Sequence, residues 1–163
     1  MNRPNLSAVL LLFLTASPCL FPLCAQAQRE LKWENSVEPS SGVQTGDTVQ
    51  LIFKGEIPKG FHIYSSKETA KEGPLVTTIT VDKTKGLEVV GELMERDGEL
   101  HTAYDDIFET EIYEYYDKVT FYVNAIVTKK CFEASGVLEY GVCNDMGCMP
   151  GANEFIIKEK VKK

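Results

Sequence analysis

Val119-Thr-Phe-Tyr-Val-Asn-Ala-Ile-Val127 is β-branched or aromatic at almost every position. Such side chains pack well on a pleated surface and lose χ1 freedom in a helix, so the segment predicts a central strand. Working outward, the same signal recurs. Val49, Leu51 and Phe53 alternate with Gln50, Ile52 and Lys54, bounded by Gly46-Asp47 and Gly55. Phe61–Tyr64 follows the turn signal Pro58-Lys59-Gly60. Thr77–Val81, Leu87–Glu92, Thr110–Tyr115, Gly136–Val142 and Phe155–Val161 continue the series, separated by Lys85-Gly86, Asp97-Gly98 and Ser135-Gly136. No window carries a helical stripe of apolar residues. Eight short strands with regular punctuation predict an all-β chain folded as a single immunoglobulin-like antiparallel β-sandwich. The Cys…Trp…Cys signature of antibody domains is missing, because Trp33 precedes every predicted strand. There is no internal repeat, low-complexity tract or linker.

The chain has 163 residues, 17 Lys+Arg against 24 Asp+Glu, and a net charge of −7. Acidic and without a basic cluster, it lacks the positive charge that nucleic acid demands. With 8 Phe and 7 Tyr it has enough apolar surface to exclude disorder. Residues 1–27 hold one base, Arg3, and no acid; an apolar run reaches Leu23, and Ala25-Gln26-Ala27 follows. That is the pattern of a secretory signal peptide cleaved after Ala27, which leaves residues 28–163 as the mature domain, one unit more negative. Leu6–Leu23 is long enough to serve as an uncleaved anchor, but Pro18, Pro22 and the small-x-small site favour cleavage. A lipid anchor at Cys24 fits poorly after Pro22-Leu23. No second apolar stretch approaches membrane-spanning length, so the mature form is expected to be soluble.

Export removes Cys19 and Cys24 and leaves Cys131, Cys143 and Cys148 in an oxidising compartment. Tyr140-Gly-Val-Cys143-Asn-Asp-Met-Gly-Cys148-Met-Pro150 is the one constellation that carries chemistry. Asn144, Asp145 and Gly147 are turn formers, so the two cysteines are expected at facing ends of a tight β-turn, within disulfide reach. A loop this short yields about 2 kcal/mol or less of chain-entropy stabilisation. A weakly stabilising bond at a hairpin tip is a redox candidate, and a structural staple is the alternative. Three thiols with two scattered histidines make no zinc pattern. A Cu(I) carrier using Met146 and Met149 ranks last, since those methionines can simply pack around the site.

These residues resemble the active-site segment of the N-terminal periplasmic domain of DsbD, the thiol:disulfide interchange protein. The resemblance runs over nearly the whole mature chain: Gly60-Phe-His-Ile-Tyr64-Ser, Pro74 with Thr77 and Thr78, Tyr104-Asp-Asp-Ile-Phe108, and Val119-Thr-Phe121 each match a family step. It implies an immunoglobulin-like domain with protein-disulfide reductase activity and no cofactor or metal. Such a domain is periplasmic and takes electrons from a membrane-embedded donor, here met in trans, for thioredoxin-fold oxidoreductases. A monomer is expected. It implies that Cys148 forms the mixed disulfide with a partner and that Cys143 resolves it. Phe108, or the neighbouring Ile107, would cap the sulfurs, and Tyr64, Asp106 and Tyr140 would line the site. The sequence departs from the family at Gly151, where a second Pro is common, and at Ile107, where an acid is frequent. A β-turn offers no helix dipole to favour a thiolate, and Asp145 opposes one, so exchange is expected to depend on docking.

Without the resemblance, Phe108 reads as a core residue, Tyr64 as a strand-end tyrosine and Asp105-Asp106 as solvated charge. His62 in a strand, His101 in a polar loop and Cys131 after Lys129-Lys130 receive no role.

Overall fold

The computed structural model describes residues 31–67, 73–106 and 108–160, and the predicted signal segment lies outside them. Ten strands run in order: β1 Lys32–Glu38, β2 Thr48–Glu56, β3 His62–Tyr64, β4 Thr78–Lys85, β5 Leu87–Arg96, β6 Leu100–Asp105, β7 Thr110–Tyr115, β8 Lys118–Val127, β9 Cys131–Asn144 and β10 Gly147–Lys160. Among the described residues there is no helix. One sheet has the order β1-β2-β8-β5; the other runs β10-β9-β3-β7-β6, with β4 also paired to β9. All pairs are antiparallel. The fold is the expected immunoglobulin-like sandwich.

β8 lies between β2 and β5, as a central strand should. It buries Val119, Phe121, Val123, Ala125 and Val127 on one face. Opposite them, the facing sheet contributes Ile63, Leu138, Tyr140 and Phe155. The Phe53 and Phe155 rings meet edge to face at 4.8 Å between centroids, joining β2 to β10. Strand alternation puts every second side chain on this inner face, which is why period two in the sequence predicts it.

Two strands escaped the sequence reading, and both are edges. β1 carries Trp33, so this tryptophan does not precede the core strands. It pairs with Gly55 and lays its ring where a Gly55 Cβ would sit, then reaches Phe121 and Tyr140 at 6.1 and 5.3 Å. β6 holds His101, so this histidine is in a strand and not in a polar loop. Edge strands are held by one ladder and bury few side chains, so their sequences stay polar and show no alternation. β10 also starts earlier than Phe155, because the ladder with β9 extends to the turn itself. Pro150 is tolerated there because β10 is an edge.

One polar cluster ties the sheets together beside β3. Glu95, from β5, accepts hydrogen bonds from the Ser65 and Ser66 hydroxyls at 2.6 Å each, the Ser66 amide, and the Tyr115 hydroxyl at 2.7 Å. Burial alone would raise the Glu95 pKa; these donors outweigh it and hold the carboxyl below its ordinary range. The same contact, after burial, pushes the Tyr115 hydroxyl upward. A depressed folded pKa means stability that is present above the unfolded carboxylate value and is lost as pH falls through the folded one. Glu95→Gln is expected to cost about 1–3 kcal/mol at neutral pH. It should also flatten the acid limb of stability against pH, read from urea midpoints between neutral and acid conditions.

Candidate redox site

Cys143 and Cys148 are directly opposed across β9 and β10, and Asn144 and Gly147 close the turn. The turn is built locally. The Asn144 side chain accepts the Met146 amide at 2.9 Å, and Gly147 adopts φ 141°, open to glycine and strained for other residues. The cysteines form a disulfide with Cα atoms 4.0 Å apart. That is closer than the usual separation, because they occupy the narrow non-hydrogen-bonded pair next to the turn. The sulfurs are unequal in their surroundings. Cys143 is 1 % exposed, whereas Cys148 is exposed on the edge strand.

Cys143 belongs to a small apolar cluster with Tyr64 and Ile112, separate from the main core. It sits on the outer face of the sheet, where β9 has passed from β4 to β3. Gly141 permits this transition: a Cβ there would press on Leu75, which crosses the strand at that point. Tyr64 is fixed through its main chain, since the Thr77 hydroxyl donates to its carbonyl at 2.6 Å. Its own hydroxyl lies 3.8 Å from Cys148 Sγ. Burial first, then the negative charges of Glu114 and Asp105, raise the Tyr64 pKa, so the phenol stays protonated as a donor.

The structure therefore brings Tyr64 to the sulfurs. Tyr140 is turned to the opposite face of β9, in the main core against Trp33. Asp106 is exposed and Phe108 half-buried at the β6–β7 turn, where the Phe108 amide donates to Asp105 at 3.0 Å. Ile107 lies outside the described residues. Met146 and Met149, expected to pack around the site, are 92 % and 53 % exposed. Cys131 is an exposed free thiol at the far end of β9.

Ile112, Glu114 and His62, which the sequence leaves without a role, also stand at the site. His62 pairs with Cys143 across β3 and β9, and its Nε2 lies 3.3 Å from Glu114 of β7. Only the period-two position of His62 and Tyr64 in one short strand hinted that both share the face of the cysteines.

The family model described as "Thiol:disulfide interchange protein DsbD, N-terminal" matches residues 27–160. The chain belongs to this family. It is a DsbD-type thiol:disulfide interchange domain with a disulfide-capable cysteine pair. Among solved structures, the N-terminal periplasmic domain of ScsB from Proteus mirabilis superposes with a TM-score of 0.50 at 13 % identity. That match covers 70 % of this chain, which spans 42 % of the ScsB chain. The reduced DsbD N-terminal domain of Neisseria meningitidis aligns with a TM-score of 0.42 at 19 % identity, covering 78 % of this chain and 86 % of that one. No curated protein matches the chain.

Two outcomes follow for this DsbD-type domain. After reduction, a soluble alkylating agent should modify Cys148 and Cys131 well before Cys143, as mass spectrometry of digests will show. Reduction should lower the urea midpoint by the equivalent of about 2 kcal/mol or less, because the bond closes so short a loop.

Proposed function

We propose that the mature domain, residues 28–163, is an exported electron carrier. It would cycle between Cys143/Cys148 dithiol and disulfide and pass electrons to thioredoxin-fold oxidoreductases in the periplasm. The observation that supports this best is the asymmetry of the disulfide: one sulfur open to a partner at an edge hairpin tip, the other buried behind it. Attack and release then have separate addresses. Cys148 would take the mixed disulfide, and Cys143 would resolve it. Electrons would come from a membrane-embedded donor, with the carrier a monomer and its signal segment cleaved after Ala27. Among the described residues, no helix is long and apolar enough to cross a membrane.

The β6–β7 turn would shield the sulfurs between encounters, with Phe108 as the cap and Ile107 and Asp106 beside it. Support comes from Asp105, at the base of this turn, whose charge reaches the Tyr64 hydroxyl that touches Cys148. With Asp105, Glu114 and Asp145 all near the site, negative charge opposes a thiolate on the free domain. Partner docking would supply what the site lacks.

The reduction potential tests this function. Equilibration of the purified domain with glutathione and dithiothreitol buffers should give about −180 to −270 mV, the range of exchange proteins. A value below about −300 mV would mark a staple and leave a protein-binding module with a structural disulfide. Under the carrier reading, Phe108→Ala should raise the rate of reaction with small disulfides several-fold and leave the potential unchanged, as stopped-flow and redox titration would measure.

A further inference from the structure

We propose that His62, held by Glu114, accepts the proton of Cys143 when this cysteine resolves a mixed disulfide. The inference rests on the carrier function and assigns a further residue to that same site.

His62 and Cys143 are directly opposed on adjacent antiparallel strands. Directly opposed residues share a face and hold their Cβ atoms about 4.5–5.5 Å apart. Cys143 is 1 % exposed, so water has little access to its thiol in the reduced protein. A buried thiol gives up its proton reluctantly, and only the thiolate attacks a disulfide. The resolving step therefore needs a local base. Among the described residues, the other titratable groups that these contacts place around the imidazole are acids and phenols, apart from His101. Glu114 comes from β7, Tyr116 from the residue just after it, Tyr64 from β3 itself, Asp105 from β6 and Asp145 from the β9–β10 turn. His101, from β6, meets the Tyr116 ring edge to face at 5.0 Å, whereas His62 is the histidine directly opposed to Cys143.

The imidazole is oriented on several sides. Tyr64 and Tyr116 each place a ring at 5.4 Å from it. Glu114 Oε1 approaches Nε2 at 3.3 Å, with side chains only 17 % and 10 % exposed. Among the described residues Nε2 has no hydrogen-bond partner, so the Glu114 carboxylate is its nearest polar neighbour of opposite character. Glu114 is itself fixed, because the Tyr116 hydroxyl donates to its other oxygen at 2.8 Å. Burial, and then this bond and the Glu114 charge, raise the Tyr116 pKa to about 12, which keeps the donor protonated. A carboxylate beside Nε2 favours the tautomer with hydrogen on that nitrogen and leaves the Nδ1 lone pair as the acceptor.

The Cys143 S–H proton passes to Nδ1, giving an imidazolium countered by Glu114. The Cys143 thiolate attacks Cys148 Sγ, and the Cys143–Cys148 bond forms as the bond from Cys148 to the partner sulfur breaks. The partner leaves as a thiolate, reduced by two electrons, and the domain is oxidised by two. The imidazolium later returns its proton to solvent.

The test uses the reduced mature protein in a Cys131→Ser background and 5,5′-dithiobis(2-nitrobenzoate) below stoichiometry. Exposed Cys148 takes the probe in a first phase, and attack by Cys143 releases a second thionitrobenzoate in the next. The second-phase rate at neutral pH is expected to fall at least tenfold in both His62→Phe and His62→Gln. It should recover as rising pH ionises the thiol directly. Glu114→Gln should slow the phase by a smaller factor, so the test stands even if one His62 variant fails to fold. An unchanged second-phase rate and pH profile in the folded His62 variants would overturn the proposal. No thioredoxin-fold partner takes part, so a domain that fails to reduce such partners yet keeps a His62-dependent second phase defeats the carrier function alone.

Discussion

The ladder along β9 is the constraint on which the rest of this structure depends. Each residue of β9 from Cys131 to Asn144 has a partner on β10. Its other side is shared in succession, first by β4 from Glu133 to Glu139 and then by β3 at Val142 and Cys143. Gly136 marks how close the β4 approach is, since a Cβ there would fall 2.0 Å from the Thr80 carbonyl oxygen. The first part of β9 closes the sandwich. The second part extends the same backbone, still laddered to β10, as the arm that carries the cysteine pair.

Changing neighbours along one strand gives Cys143 an environment of its own. Tyr140 and Val142 point into the inter-sheet core, whereas Cys143 points to the outer face, where Tyr64 and Ile112 cover it. The Glu95 cluster secures this arrangement from across the sandwich. It binds Ser65 and Ser66, the residues that follow Tyr64. The phenol that reaches Cys148 is therefore positioned by both sheets, although its ring belongs to neither core layer. Short hairpin geometry alone would leave the sulfurs equally exposed, and this packing makes them unequal.

Electrostatically the site is acidic and, among the described residues, has no helix N-terminus of the kind thioredoxin-type sites rely on. A buried thiol among carboxylates is a poor nucleophile, which suits the proposed carrier, quiet until a partner docks. The proposed pair of His62 and Glu114 fits that logic, as a proton acceptor directly opposite Cys143.

The fold was legible in the sequence because its central strands bury one face and must alternate. Val119–Val127 and Val49–Phe53 could not be read otherwise. The polar edges β1 and β6 were illegible, since a strand held by one ladder needs no apolar signature. Turn chemistry likewise determined locally that Cys143 and Cys148 face each other, because Asn144, Asp145 and Gly147 leave the chain few other conformations. Register decided what sequence order does not encode: which face each side chain takes, that Tyr140 belongs to the core, and that His62 stands opposite Cys143. Those contacts join strands far apart in the chain, and only long-range pairing of β3 with β9 and β7 brings them within reach.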